Sequence, residues 1–118
     1  MKPSPLREKS VSFAKNIIFA ARAMRENKIE SALTSQLLRC GTSIGANIHE
    51  AQFAQGSRDF ISKLEIALKE CNECDYWLNL LKDTDSMNES DFNTLITQCT
   101  ELRRMLVSSI TTMKSKQS

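Results

Sequence analysis

The chain has 118 residues, 41% hydrophobic and 25% charged, with a formal net charge of +2 and a pI near 8.4. That length suits one compact domain with a radius of gyration of about 13–14 Å. No apolar run approaches the roughly 20 residues that cross a bilayer, and MKPSPLREKS carries no apolar stretch behind its basic residues, so no secretory signal is expected and a cytoplasmic protein is the expectation.

In chain order, MKPSP reads as a polar lead outside the fold. A first helix is predicted over about 6–26, with Phe13, Ile17, Ala20 and Met24 as its buried stripe and Ala14 and Ala21 alongside. Lys15 and Arg22 project from its opposite side, and Phe19 falls near them, too far from the stripe for the core. A second helix is predicted over about 30–55, where Leu33, Leu37, Cys40, Ile44, Ile48 and Ala51 recur at three- and four-residue steps and Gly56 supplies the stop. Within it Gly41 and Gly45 leave a strip of backbone nearly free of side chains, although each costs the helix about 1 kcal/mol against alanine. Close approach of another helix is the expected return.

Ser57 is placed as N-cap of a third helix over about 57–83, with Asp59 in the first turn. Phe60, Leu64, Ala67, Cys71, Cys74, Leu78 and Leu81 form its heptad seam, with Ile61 and Leu68 on one flank and Ile66 and Trp77 on the other. That arc is wider than one partner helix covers and fits a bundle helix that also meets another subunit. Ser86 and Glu89 have capping-box spacing ahead of a fourth helix over about 88–114. Its stripe is Phe92, Ile96, Cys99, Leu102, Leu106, Ile110 and Met113, with Arg103 and Arg104 off it and a polar KSKQS tail expected to fray. Long helices joined by a few residues run antiparallel to their sequence neighbours, so the fold class is all-α, an up-down-up-down four-helix bundle in one domain. Phe19, Gly41, Gly45, Ile66 and Trp77 are the candidate contacts between copies.

QLLRCGTSIGANIHEA, residues 36–51, resembles the signature of the 23S rRNA intervening-sequence proteins, approximately Q-L-x-R-x-x-x-S-I-x-x-N-I-x-E-[GA]. Gln36, Leu37, Arg39, Ser43, Ile44, Asn47, Ile48, Glu50 and Ala51 fill it in register. DFISKLEIALKECNE, residues 59–73, is similar to that family's next helix, with Cys71 where Ala or Ser is common. The resemblance covers about residues 10–110 and implies a four-helix bundle with a poorly defined biochemical role. It also implies homopentameric rings, and it brings in a basic relative that serves as the accessory protein of diversity-generating retroelements, beside a reverse transcriptase, and binds nucleic acid.

Residues 1–39 carry a net +5, residues 40–101 a net −7 and residues 102–118 a net +4. In an antiparallel bundle the first and fourth helices adjoin, so Arg7, Lys15, Arg22, Arg25, Arg103 and Arg104 are candidates to meet RNA or DNA phosphates. The competing reading gives the opposed charges to solubility and subunit pairing, and a pI below the value above about 9 usual for a dedicated nucleic-acid domain favours it. The polar row Gln36, Arg39, Ser43, Asn47 and Glu50 is either a ligand contact or a network fixing helix register or joining subunits; the structural role is preferred.

The four cysteines lie in helical apolar patterns, unlike a secreted disulfide framework, and are expected to be reduced. Cys71 and Cys74 form a C-x-x-C in mid-helix, where small buried hydrophobes are expected rather than a metal or redox site. The one histidine, His49, cannot furnish the two Glu-x-x-His motifs of a di-iron bundle. No catalytic constellation and no cofactor or metal site is expected, so the protein reads as non-enzymatic, its partners being itself and, in one reading, nucleic acid; the alternative is a scaffold for another protein.

Overall fold

A computed structural model describes residues 4–117; Met1, Lys2, Pro3 and Ser118, which include most of the expected lead, lie outside the described residues. Four helices follow one another, α1 (Pro5–Glu26), α2 (Ser31–Ala51), α3 (Ser57–Asp83) and α4 (Glu89–Gln117). The first begins ahead of expectation because Ser4 caps it, its hydroxyl accepting from the Arg7 amide at 3.4 Å, while Pro5 sits at the position where a missing N–H costs nothing. The last runs through the KSKQ of the expected frayed tail.

Three boundaries differ from the sequence expectation for local reasons. Beyond Ala51 the amides of Gln52, Phe53 and Ala54 bond three residues back rather than four, so the helical signal continues as a tighter turn outside α2. Gly56, at φ 107°, is the N-cap of α3, with Ser57 already helical; Asp59 reaches back to the Gln55 amide at 3.1 Å. At α4 Asn88 displaces Ser86 as the cap, accepting from the Asp91 amide at 2.7 Å and donating to the Asp91 carboxylate at 3.1 Å.

α1 and α3 end in similar closures: Ile29 N–H bonds Met24 O at 3.0 Å and Ser86 N–H bonds Leu81 O at 2.8 Å. Each needs a left-handed residue before it, supplied by Lys28 (φ 59°) and Asp85 (φ 56°) where glycine is usual. Because a side chain in that conformation costs roughly 1–2 kcal/mol, Lys28→Gly is expected to raise the urea unfolding free energy by up to about 1 kcal/mol, and a loss would show that Lys28 contributes something besides its backbone.

Paired contacts fix the topology. Ile17 lies against Gly41 and Ser10 against Gly45; Cys71 meets Cys99 and Lys114 meets Glu65; Lys9 meets Glu101 and Asn16 meets Gln98. In each pair one number rises as the other falls, so neighbours run antiparallel. The bundle is an up-down-up-down square in which the backbone of α1 lies close to α2 and α4, that of α3 lies close to α2 and α4, and the backbones of neither diagonal pair come close. It is a rod of 49 × 22 × 22 Å with a radius of gyration of 14.9 Å, longer than a sphere of this mass because helices of up to 29 residues set its length.

The expected stripes form the core, with three exchanges and with Met113, near the end of α4, only half-buried. On α2 Thr34 is buried at 0% exposure where Leu33 was expected, its hydroxyl donating to Glu30 O at 3.3 Å, and Leu33 packs half-buried beside it. Leu95 is buried at 1% exposure where Ile96 was expected, and Ile96 packs half-buried beside it. Both fit helical spacing from Phe92; the axis through Cys99, Leu102 and Leu106 passes nearer Leu95. Phe60 lies on the seam axis of α3 but at the bundle end, where neighbours run out, and is only half-buried, while Ile61 beside it is 5% exposed.

Candidate interaction surfaces

Gly41 and Gly45 face α1. A Cβ on Gly41 would stand 2.7 Å from Ile17 Cγ1, and one on Gly45 would stand 3.4 Å from Ser10 Oγ. The glycine strip is therefore spent inside the subunit, and the expectation that it joins copies is corrected: Gly41 is buried between two helices of one chain.

The polar row lies on another side of α2, toward α3. Arg39 is its centre. Its guanidinium bonds Gln36 Oε1 at 3.1 and 3.3 Å, the Glu70 carboxylate at 3.1 Å, and the Glu73 carboxylate. Partial burial lowers the Arg39 pKa, but Glu73 and then Glu70 raise it further, so the net direction is up. Glu73 also accepts from Trp77 Nε1 at 3.0 Å, which joins motif residues of α2 to the aromatic flank of α3. Ser43 donates to Arg39 O at 2.6 Å and Asn47 to Ser43 O at 2.9 Å, so these two bond along their own helix. Glu50 is exposed at the row's end. Of these, Arg39 links α2 to α3 through Glu70 and Glu73, while Gln36 braces the guanidinium from within α2. Sequence reasoning missed Glu70 and Glu73; their positions on the Ile66–Trp77 flank were the available signal.

The flank continues outward. Ile66 is 40% exposed and Tyr76 58% exposed, with Tyr76 meeting Trp77 edge-on at a centroid distance of 5.1 Å. Diagonally opposite, the outer face of α1 carries Val11, Lys15, Phe19 and Arg22, with Phe19 at 60% exposure. Tyr76, Val11 and the exposed corner residue Phe53, which packs against His49, were not singled out from sequence.

The six candidate phosphate contacts do not converge on one surface. Lys15, Arg22 and Arg25 are exposed along α1, Arg7 is half-buried near its start, and Arg7 and Arg25 lie in angular register about 27 Å apart along the axis. Arg103 turns toward α3, 3.9 Å from the Asp75 carboxylate, whereas Arg104 is exposed on the far side of α4 in a shallow groove with Glu101, Met105 and Ser108. Between the basic strips the α1–α4 seam is crossed by the Lys9–Glu101 pair at 3.0 Å and the Asn16–Gln98 bond at 3.0 Å. Adjacency of α1 and α4 in the bundle therefore does not fuse their cations, because angular position about each helix separates them.

Among the described residues no group of three or more His, Cys, Asp or Glu side chains is arranged to hold a metal ion, and no helix is long and apolar enough to cross a membrane. All four cysteines are buried free thiols.

Residues 4–108 match the family model described as 23S rRNA-intervening sequence protein. The crystal structure of a protein with unknown function from the S23 ribosomal protein family of Bacteroides thetaiotaomicron is similar to this chain at 42% identity, with a TM-score of 0.86 over 89% of this chain and 97% of that one. No curated protein is significantly similar.

Proposed function

Since the chain belongs to the 23S rRNA-intervening sequence protein family, a relative of which has been solved without a known function, we propose that it works by assembly rather than catalysis, as a cytoplasmic self-associating bundle whose α1 outer face docks on the α3 outer face of the next copy. The observation that carries this reading is one of complementarity across the diagonal. Phe19, 60% exposed, stands between Lys15 and Arg22 on one side of the rod; Ile66 and Tyr76, 40% and 58% exposed, stand on the other beside Lys69 and among Glu65, Glu70 and Glu73, carboxylates that also pair within the subunit with Lys114 and Arg39, so the exposed apolar groups lead the match and charge is secondary.

Two different, complementary patches on opposite sides of one subunit make a head-to-tail contact, which closes into a ring or runs on as a filament. A closed ring is the form expected here, with five copies as the resemblance implies. Aromatic side chains framed by opposed charges are the usual anchors of such contacts.

A second reading, weak contact with RNA or DNA phosphates, has its own observation. Lys15, Arg22, Arg25 and Arg104 are exposed and make no ion pair among the described residues. A ring would repeat each of these modest charges around one axis.

Light scattering behind a sizing column tests both. The wild type is expected to elute as a multiple of its 13.3 kDa subunit and Phe19→Glu as a folded monomer with unchanged helical circular dichroism. A wild type that stays monomeric at tens of micromolar sinks the assembly reading. Adding structured RNA should shift the species at low salt and lose it steeply as salt rises if phosphates are contacted; no shift at either salt leaves the cations to pairing and solubility.

A further inference from the structure

Four thiols from three helices meet in the core: Cys40 of α2, Cys71 and Cys74 of α3 and Cys99 of α4, each at 0% exposure. Cys71 Sγ and Cys99 Sγ are 3.6 Å apart. Each S–H is also placed to donate to the other residue's carbonyl, Cys71 to Cys99 O at 3.3 Å and Cys99 to Cys71 O at 3.4 Å. A cysteine side chain is two bonds long, so this reciprocity requires the backbones of α3 and α4 to approach closely at that level. The assembly reading makes no use of these sulfurs.

We propose that Cys71 and Cys99 are a redox-modifiable pair, which a hydroperoxide converts into a disulfide tying α3 to α4. The sulfurs already touch, and closing to an S–S bond of about 2.05 Å asks them to approach by roughly 1.5 Å. The first attack is assigned to Cys99, with Cys71 resolving it; the reverse order gives the same disulfide. The S–H groups of Cys71 and Cys74 favour its ionised form, with Arg103 adding a smaller pull in the same direction against burial. Cys71 is pushed up by its bond to Cys99 and by burial, and Cys74 by its contacts with Cys40 and Cys99 and by burial.

The Cys99 sulfur displaces one oxygen of the peroxide: an S–O bond forms, the O–O bond breaks, and the leaving oxygen takes up the proton that Cys99 released, departing as an alcohol or as water. Cys99 is then a sulfenic acid. The Cys71 sulfur attacks it, the S–S bond forms, the S–O bond breaks, and hydroxide leaves with the Cys71 proton as water. Two thiols are oxidised by two electrons and the peroxide is reduced by two. Because both sulfurs are buried, the oxidant enters only when the α3–α4 seam opens, so the rate follows local opening rather than surface chemistry.

The test is hydrogen peroxide added in excess to the full chain, followed by unfolding in an alkylating maleimide and peptide mapping. Two of the four thiols are expected to escape alkylation until a reductant is added, mapping to a Cys71–Cys99 link within one chain. Cys40→Ser should keep the link, and Cys71→Ser, or Cys71→Ala if the serine is not tolerated, should lose it. Four alkylated thiols, a link through Cys40 or Cys74, a link between chains, or over-oxidised Cys99 without a link would each overturn the proposal.

Discussion

Gly41→Ala is expected to destabilise the fold by about 1–2 kcal/mol, although it removes a glycine from mid-helix. Helix propensity alone favours alanine by about 1 kcal/mol. The new methyl, however, would stand 2.7, 2.8 and 2.9 Å from three carbons of Ile17. Ile17 is at 0% exposure, and a β-branched side chain in a helix has one strongly preferred rotamer, so it cannot swing aside. Overpacking a core of this density costs about 1–3 kcal/mol or more, which outweighs the propensity gain. Gly45→Ala is the control within the same strip. Its nearest neighbours, Ser10 Oγ and O, lie at 3.4 and 3.5 Å, close to ordinary contact, so the propensity gain should show as up to about 1 kcal/mol of added stability. Urea unfolding of the two variants decides it. Ile17→Val should rescue part of the Gly41→Ala loss through a coupling that distant sites would not show. If both alanines stabilise, α1 is not held against α2 at Gly41.

This pair of glycines also marks how far the sequence can be read. A Gly-x-x-x-Gly strip says that something approaches closely, but whether a helix of the same chain or of another copy cannot be deduced from spacing, since both satisfy the same sterics. The helical stripes were legible because burial follows the 3.6-residue period over many turns. Leu95 and Ile96 were not separable, because a choice between three- and four-residue steps depends on where neighbouring helices lie. Arg39 was visible as a motif residue, but its carboxylate partners Glu70 and Glu73 stand 31 and 34 positions away, and only the α2–α3 register brings them into reach. Segment charge was readable as a sum. What it did not reveal is that Arg103 turns to Asp75 while Arg104, one residue and about 100° further round, faces outward.

The adjacent residues Leu78 and Trp77 separate folding from assembly, and substituting each with alanine is expected to give opposite phenotypes. Leu78 is at 0% exposure on the seam of α3. Leu78→Ala deletes buried methyl groups from a close-packed layer and should cost about 2–5 kcal/mol of unfolding free energy, with any loss of assembly following from the loss of fold. Trp77 lies on the flank, partly exposed, its indole held by Glu73 and braced by Tyr76. Trp77→Ala removes an anchor of the proposed α3 docking face while the core stripe stays intact, so unfolding of the dilute monomer should change by only about 1 kcal/mol. Its self-association should weaken by about 30-fold or more, the ~2 kcal/mol typical of an interface hot spot. Sedimentation equilibrium measured beside urea unfolding distinguishes the cases. A Trp77→Ala protein that associates as tightly as wild type would remove the α3 flank from the interface and move the docking face elsewhere on the rod; one that unfolds as readily as Leu78→Ala would make Trp77 a core residue that happens to reach the surface.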